Sequence, residues 1–112
     1  MPLSEKVRIE VYIPDLPKQS YRDLLEAFDQ EFTYTFGGCT IIRGLDGSYL
    51  SRAGSKMQDS ISIIYTDVPL ALEENFERLS RYTDNLRKAA YEALEEEAVL
   101  VAALKIYHSE NR

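Results

Sequence analysis

One cysteine, one histidine and no tryptophan occur in 112 residues, and each scarcity removes a class of chemistry. A lone Cys39 cannot close an intramolecular disulfide. His108 as the sole imidazole rules out the usual two-histidine zinc arrangements, so no structural metal is expected. Basic residues are outnumbered, thirteen against nineteen acidic ones, leaving a net charge of −6. Such a field repels a polyanion, and Arg78, Arg81, Arg87 and Lys88 are interleaved with acids, so nucleic acid is not expected as a partner. No apolar run approaches the roughly 18 residues of a membrane span. The longest, Ala98 to Leu104, has strand length. Met1 to Lys6 has no basic-then-apolar leader pattern, and with a single thiol the chain reads as cytoplasmic. The glycines at 37, 38, 44, 47 and 54 match neither a phosphate-binding loop nor a dinucleotide fingerprint, because the Lys-Ser/Thr pair and the helix placement are missing.

What is present is a folding composition. Apolar residues at 45% and charged residues at 29% are the balance of a globular protein, too hydrophobic for a disordered chain. The length suits one domain, 1–112, that buries about two-thirds of its unfolded surface.

Val7, Ile9, Val11 and Ile13 alternate with Arg8, Glu10 and Tyr12, the period of a strand with one face in a core. Pro14 and Pro17 end it, and Ser20 is placed to cap a helix bearing Tyr21, Leu24, Leu25, Phe28 and Phe32 and ending near Phe32. Gly37-Gly38 allows a reversal into a second strand from Cys39 to Arg43. Gly44 to Gly47 reads as a bulge or turn within that long strand, which resumes at Ser48 to Arg52 before a tip at Ala53-Gly54. Ser60 to Thr66 alternates as a third strand. Asp67 and Pro69 open a long helix whose stripe runs through Leu72, Phe76, Leu79, Thr83, Leu86, Ala90 and Leu94. Ala98 to Tyr107 is the closing strand, followed by a polar tail from His108 to Arg112.

This order, βαββαβ, predicts an α+β, ferredoxin-like domain: a four-stranded antiparallel sheet with both helices on one face, the first and third strands central. The other sheet face is then uncovered. Alternation assigns Ile61, Ile63, Tyr65, Leu100, Leu104 and Ile106 to the helix side with the odd residues of the first strand. It assigns Arg8, Glu10, Tyr12, Ile64, Val101, Lys105 and Tyr107 to the open side, with Tyr12 and Tyr107 as neighbours. Those seven are the candidate ligand or interface residues, because tyrosine offers contact area with a polar tip and large apolar groups on a bare face invite a partner.

Other constellations carry less. Cys39 lacks a neighbouring histidine in sequence and reads as a small buried hydrophobe, His108 reads as a solvated tail residue, and Glu92, Glu95 and Glu96 read as a solubilising helix face. No catalytic residue and no cofactor is implied.

Phe36-Gly37-Gly38-Cys39-Thr40, then Gly47-Ser48-Tyr49, Gly54 and Asp59, resembles a pattern of small bacterial proteins with no assigned activity. The resemblance implies a bacterial origin and supports the strand-turn reading.

The functional expectation is a non-enzymatic interaction or regulatory module, a homodimer that binds a protein partner or small ligand through the sheet face. The alternative is a small cofactor-free or haem-dependent enzyme with its site in a cavity beside the sheet of a dimer.

Overall fold

A computed structural model describes residues 3–95 and 99–109 of the chain. The elements follow the predicted order: β1 Ser4–Pro14, α1 Gln19–Phe36, β2 Thr40–Leu50, β3 Lys56–Val68, α2 Phe76–Leu94 and β4 Leu100–His108. The sheet order is β2-β3-β1-β4, every neighbouring pair antiparallel, so β1 and β3 are central and β2 and β4 form the edges. This is the ferredoxin-like arrangement, with the two helices on one face.

The core lies between that face and the helices. Val7, Ile9, Val11 and Ile13 of β1 are fully buried against Tyr21, Leu24, Leu25, Phe28 and Phe32 of α1 and Leu79, Leu86, Ala90 and Leu94 of α2. α1 runs one turn further than predicted, because Phe36 keeps packing past Phe32 and meets the edge of Tyr82 on α2 with ring centroids 5.6 Å apart. Gly37, at φ 95°, then ends the helix by donating its N–H to the Thr33 carbonyl at 2.9 Å. α2 begins later than Pro69 implied. Residues 69–75 form turns held by Leu70 N–H to Val68 O, at 2.8 Å, and by Leu72 N–H to Glu5 Oε2, at 3.0 Å. Phe76, predicted within the buried stripe, is 65% exposed at the helix start.

The two later strands reverse the predicted facing. Antiparallel partners share a face, and the register sets Val7 opposite Val68, Ile9 opposite Thr66, Val11 opposite Ile64 and Ile13 opposite Ser62. Ser62, Ile64, Thr66 and Val68 therefore lie under the helices, and all four are buried. Ile64, expected on the open side, is a core residue. β4 is reversed likewise, with Val7 opposite Lys105, Val11 opposite Val101 and Glu5 opposite Tyr107. Val101, Lys105 and Tyr107 stand on the helix side, where Val101 packs against the core and Lys105 pairs with Glu73 beside α2.

The physical reason is visible in β3. Its buried parity carries two small hydroxyl residues, and both are satisfied: Thr66 Oγ1 donates to the Gly38 carbonyl at 2.7 Å, and Ser62 Oγ bonds to Asp15 and Tyr21. The more apolar parity, Ile61, Ile63 and Tyr65, is turned away from the helices. His108, expected in a tail, closes β4 opposite Ser4. Glu96, Ala98 and the tail beyond Ser109 lie outside the described residues.

Candidate interaction surface

β1 presents Arg8, Glu10 and Tyr12 on the open face, as its alternation predicts, and the corrected register adds the apolar parity of its neighbours. Tyr65 and Ile63 come from β3, Leu100, Leu104 and Ile106 from β4, and Ile42 from β2, opposite Ile63. Leu100 is 58% exposed and Ile42 40%. The uncovered side of this sheet is thus its more apolar side along β3 and β4, the opposite of a solvated antiparallel sheet.

Four polar residues on the face, Arg8, Asp67, Tyr12 and Glu10, are already partnered. The Arg8 guanidinium grips Asp67 with a two-pronged contact, Nε to Oδ1 at 2.8 Å and the second nitrogen to Oδ2 at 3.1 Å. Its carbon centre sits 4.2 Å from the centroid of the Tyr65 ring. The hydrogen bond to Asp67 raises the Arg8 pKa above its ordinary value despite partial burial. Tyr12 donates its hydroxyl to Glu10 Oε1 at 2.7 Å, and that bond raises the phenol pKa. Covering this face with a partner strands neither pair.

The sequence-predicted candidates therefore separate. Arg8, Glu10 and Tyr12 share the open face, whereas Ile64, Val101, Lys105 and Tyr107 are on the other side of the sheet. Tyr12 and Tyr107 are not neighbours, since Tyr12 pairs with Leu100 and Tyr107 with Glu5 near the opposite end of β1. Arg8 and Lys105, on opposite faces, cannot converge on one substrate.

A cavity of about 460 Å³ opens at one end of the sheet, bordered by Lys6, Phe36, Cys39, Tyr65, Asp67 and His108 among others. Its thiol is poorly suited to nucleophilic work. Burial, together with the negative charge and hydrogen bond of Asp29, pushes the Cys39 thiol up to about 11, leaving little thiolate near neutrality. Among the described residues no group of three His, Cys, Asp or Glu side chains is placed to hold a metal ion, and no helix is long and apolar enough to cross a membrane.

Sequence reasoning missed a second constellation, at the far end of β1. Asp15 accepts hydrogen bonds from Tyr21 Oη and Ser62 Oγ, from Ser60 Oγ at 2.9 Å and from the Gly44 N–H at 3.3 Å. One carboxylate thus ties β1, α1, β2 and β3 together. The only hint in the sequence is an aspartate between Pro14 and Pro17, a turn signal.

No family model matches the chain, and no curated protein matches it by sequence. Solved structures do. The CutA1 protein of Oryza sativa is similar with a TM-score of 0.60 at 16% identity, over 96% of this chain and 85% of that one. The divalent cation tolerance protein CutA1 of Thermus thermophilus gives 0.59 at 15% identity, over 95% of this chain and 87% of that one. CutA of Synechococcus elongatus gives 0.52 at 10% identity, over 95% and 79%. At these identities the likeness establishes the fold that this chain shares with CutA proteins.

Proposed function

We propose that this chain is a non-enzymatic interaction module that self-associates, a second copy covering the open sheet face. The observation that carries the reading is the facing of β3 and β4: each turns its more apolar parity away from the helices. Burial of apolar area is the dominant favourable term in association, and the pairing of Arg8 with Asp67 and the hydrogen bond from Tyr12 to Glu10 keep these groups partnered when the face is covered, which reduces the cost of burying them. A second copy is the fitting occupant, since identical faces related by a two-fold axis match apolar to apolar.

The enzymatic alternative loses its constellation, because Lys105 is separated by the sheet from Arg8, Glu10 and Tyr12. The fold likeness to a Thermus thermophilus protein described as a divalent cation tolerance protein supports a role in the response to divalent cations as the biological setting of such a module.

Size-exclusion chromatography with light scattering tests the association. Wild type at 50 µM, a chosen concentration of about fifty times a micromolar Kd, is expected to run at a mass of two or more chains, and Ile63→Glu or Leu104→Glu as a folded monomer. A monomeric wild type refutes the proposal.

A further inference from the structure

α2 does not cover the edge strand β4 completely. On the helix-facing side of β4, Val101 packs against the core, whereas Ala103, opposite Ile9, is exposed. The short side chain leaves a groove between helix and strand, bridged further along by the ion pair of Lys105 with Glu73. A cavity of about 310 Å³ opens there, bordered by Ser80, Arg81, Thr83, Asp84, Arg87 and Val101.

This groove is the basic part of an acidic chain. Arg78, Arg81, Arg87 and Lys88 against Asp84 give residues 78–88 a net +3, so the other 101 residues hold −9. Helical residues three, four and seven apart share a face, which puts Ser80, Thr83, Asp84 and Arg87 on one stripe of α2 with Arg81 beside it. Asp84 accepts a hydrogen bond from Arg87 at 2.8 Å and pairs with Lys88 at 3.0 Å. Those two cations hold its carboxyl below the ordinary carboxylate value, so the acid in the cavity is neutralised by its own helix.

What remains uncommitted is a set of donors. Arg87 gives one nitrogen to Asp84 and keeps the rest of its guanidinium fork. Among the described residues no acid pairs with Arg81. Ser80 is engaged through its carbonyl, leaving its hydroxyl to donate, whereas Thr83 spends its hydroxyl on the Leu79 carbonyl at 2.9 Å and serves as wall. Two guanidinium forks and a hydroxyl match an anion with several oxygens, and the geometry of the fork suits phosphate. The size is at the lower end of ligand pockets, roughly 300–1,000 Å³, and the −9 elsewhere repels a long polyanion, so the ligand is small.

We infer that the groove between α2 and β4 binds a phosphate group, free or on a small ester, with Arg81 and Arg87 gripping its oxygens, Ser80 donating to another and Val101 forming the apolar wall. The site lies on the helix side of the sheet and stands or falls independently of the association proposed above.

Heteronuclear NMR titration of the full chain tests it, at an ionic strength held constant with sodium chloride because screening alone perturbs exposed charges. Inorganic phosphate is expected to move the backbone amides of residues 80–87 and of Val101, saturating with a Kd of about 1 mM. Arg81→Ala and Arg87→Ala, both at exposed positions, each weaken binding at least about 10-fold through loss of charge-assisted bonds. Arg78→Ala, outside the cavity, stays within about twofold of wild type. Glycerol 3-phosphate distinguishes the two sources: tighter binding than inorganic phosphate assigns the groove to an ester, equal or weaker binding to the free anion. Acetate, a planar monoanion, is expected to leave these amides in place. No saturating shift with either phosphate, an equal response to acetate, or a loss in Arg78→Ala as large as in Arg81→Ala overturns the site.

Discussion

Val11 and Ile64 are ladder partners across β1 and β3, and both side chains are fully buried. Because partners in an antiparallel pair share a face, this pair fixes the facing of β3: Ile64 belongs to the core, and Ile63, one residue away, to the open side.

Truncating the two isoleucines therefore has different consequences. Ile64→Ala leaves a cavity beneath the helices and costs about 2–5 kcal/mol at any protein concentration. Ile63→Ala removes contact area from the proposed interface, so its effect depends on protein concentration, as mass action requires of an associating chain. Urea unfolding at several concentrations separates them: the midpoint shift between wild type and Ile64→Ala stays constant, whereas that for Ile63→Ala grows with concentration.

Element order was legible because proline, glycine and two clean periodicities punctuate the chain. Val7 to Ile13 alternates without exception, and the Tyr21 to Phe32 spacing admits only a helical face. Facing was not legible in β3 or β4, because alternation distinguishes two faces without saying which one meets the helices. Pattern reading sends the more apolar parity inward, and that rule fails when Ser62 and Thr66 have hydrogen-bond partners inside and Ile61, Ile63 and Tyr65 are left outside. The residues that misled the assignment are the ones that define the candidate surface. Asp15 was illegible for another reason, since its four donors come from segments up to 47 residues away.

Cys39 is expected to resist alkylation. With its thiol near 11, only about a thousandth is thiolate at pH 8, against roughly a quarter for a free cysteine near 8.5. Reaction with iodoacetamide is then at least about 100-fold slower than for free cysteine, and it accelerates on adding denaturant. Asp29→Asn removes the neighbouring charge and speeds labelling of the folded protein. Stoichiometric labelling of native wild type within minutes at pH 8 contradicts the burial and the Asp29 contact.

The Asp15 carboxylate couples stability to acid. Burial alone raises its pKa, but the donors from Ser62, Tyr21, Ser60 and the Gly44 backbone together outweigh it and hold the group below the ordinary carboxylate value. A carboxylate with a depressed folded pKa contributes stability that is fully present above its unfolded value, about 3.9, and is lost as pH falls through the folded value. Asp15→Asn offers one acceptor oxygen to donors that now have two, and costs about 1–3 kcal/mol at pH 7. The cost is at the lower end because Tyr21 and Ser62 also bond to each other. Below the unfolded value, about 3.9, the unfolded wild-type chain takes up the proton before the folded one does, so wild type loses this advantage and the difference between the two melting temperatures narrows from pH 7 to pH 2.5. A gap that stays constant or widens on acidification is incompatible with an ionised Asp15 accepting from the Gly44 N–H of β2.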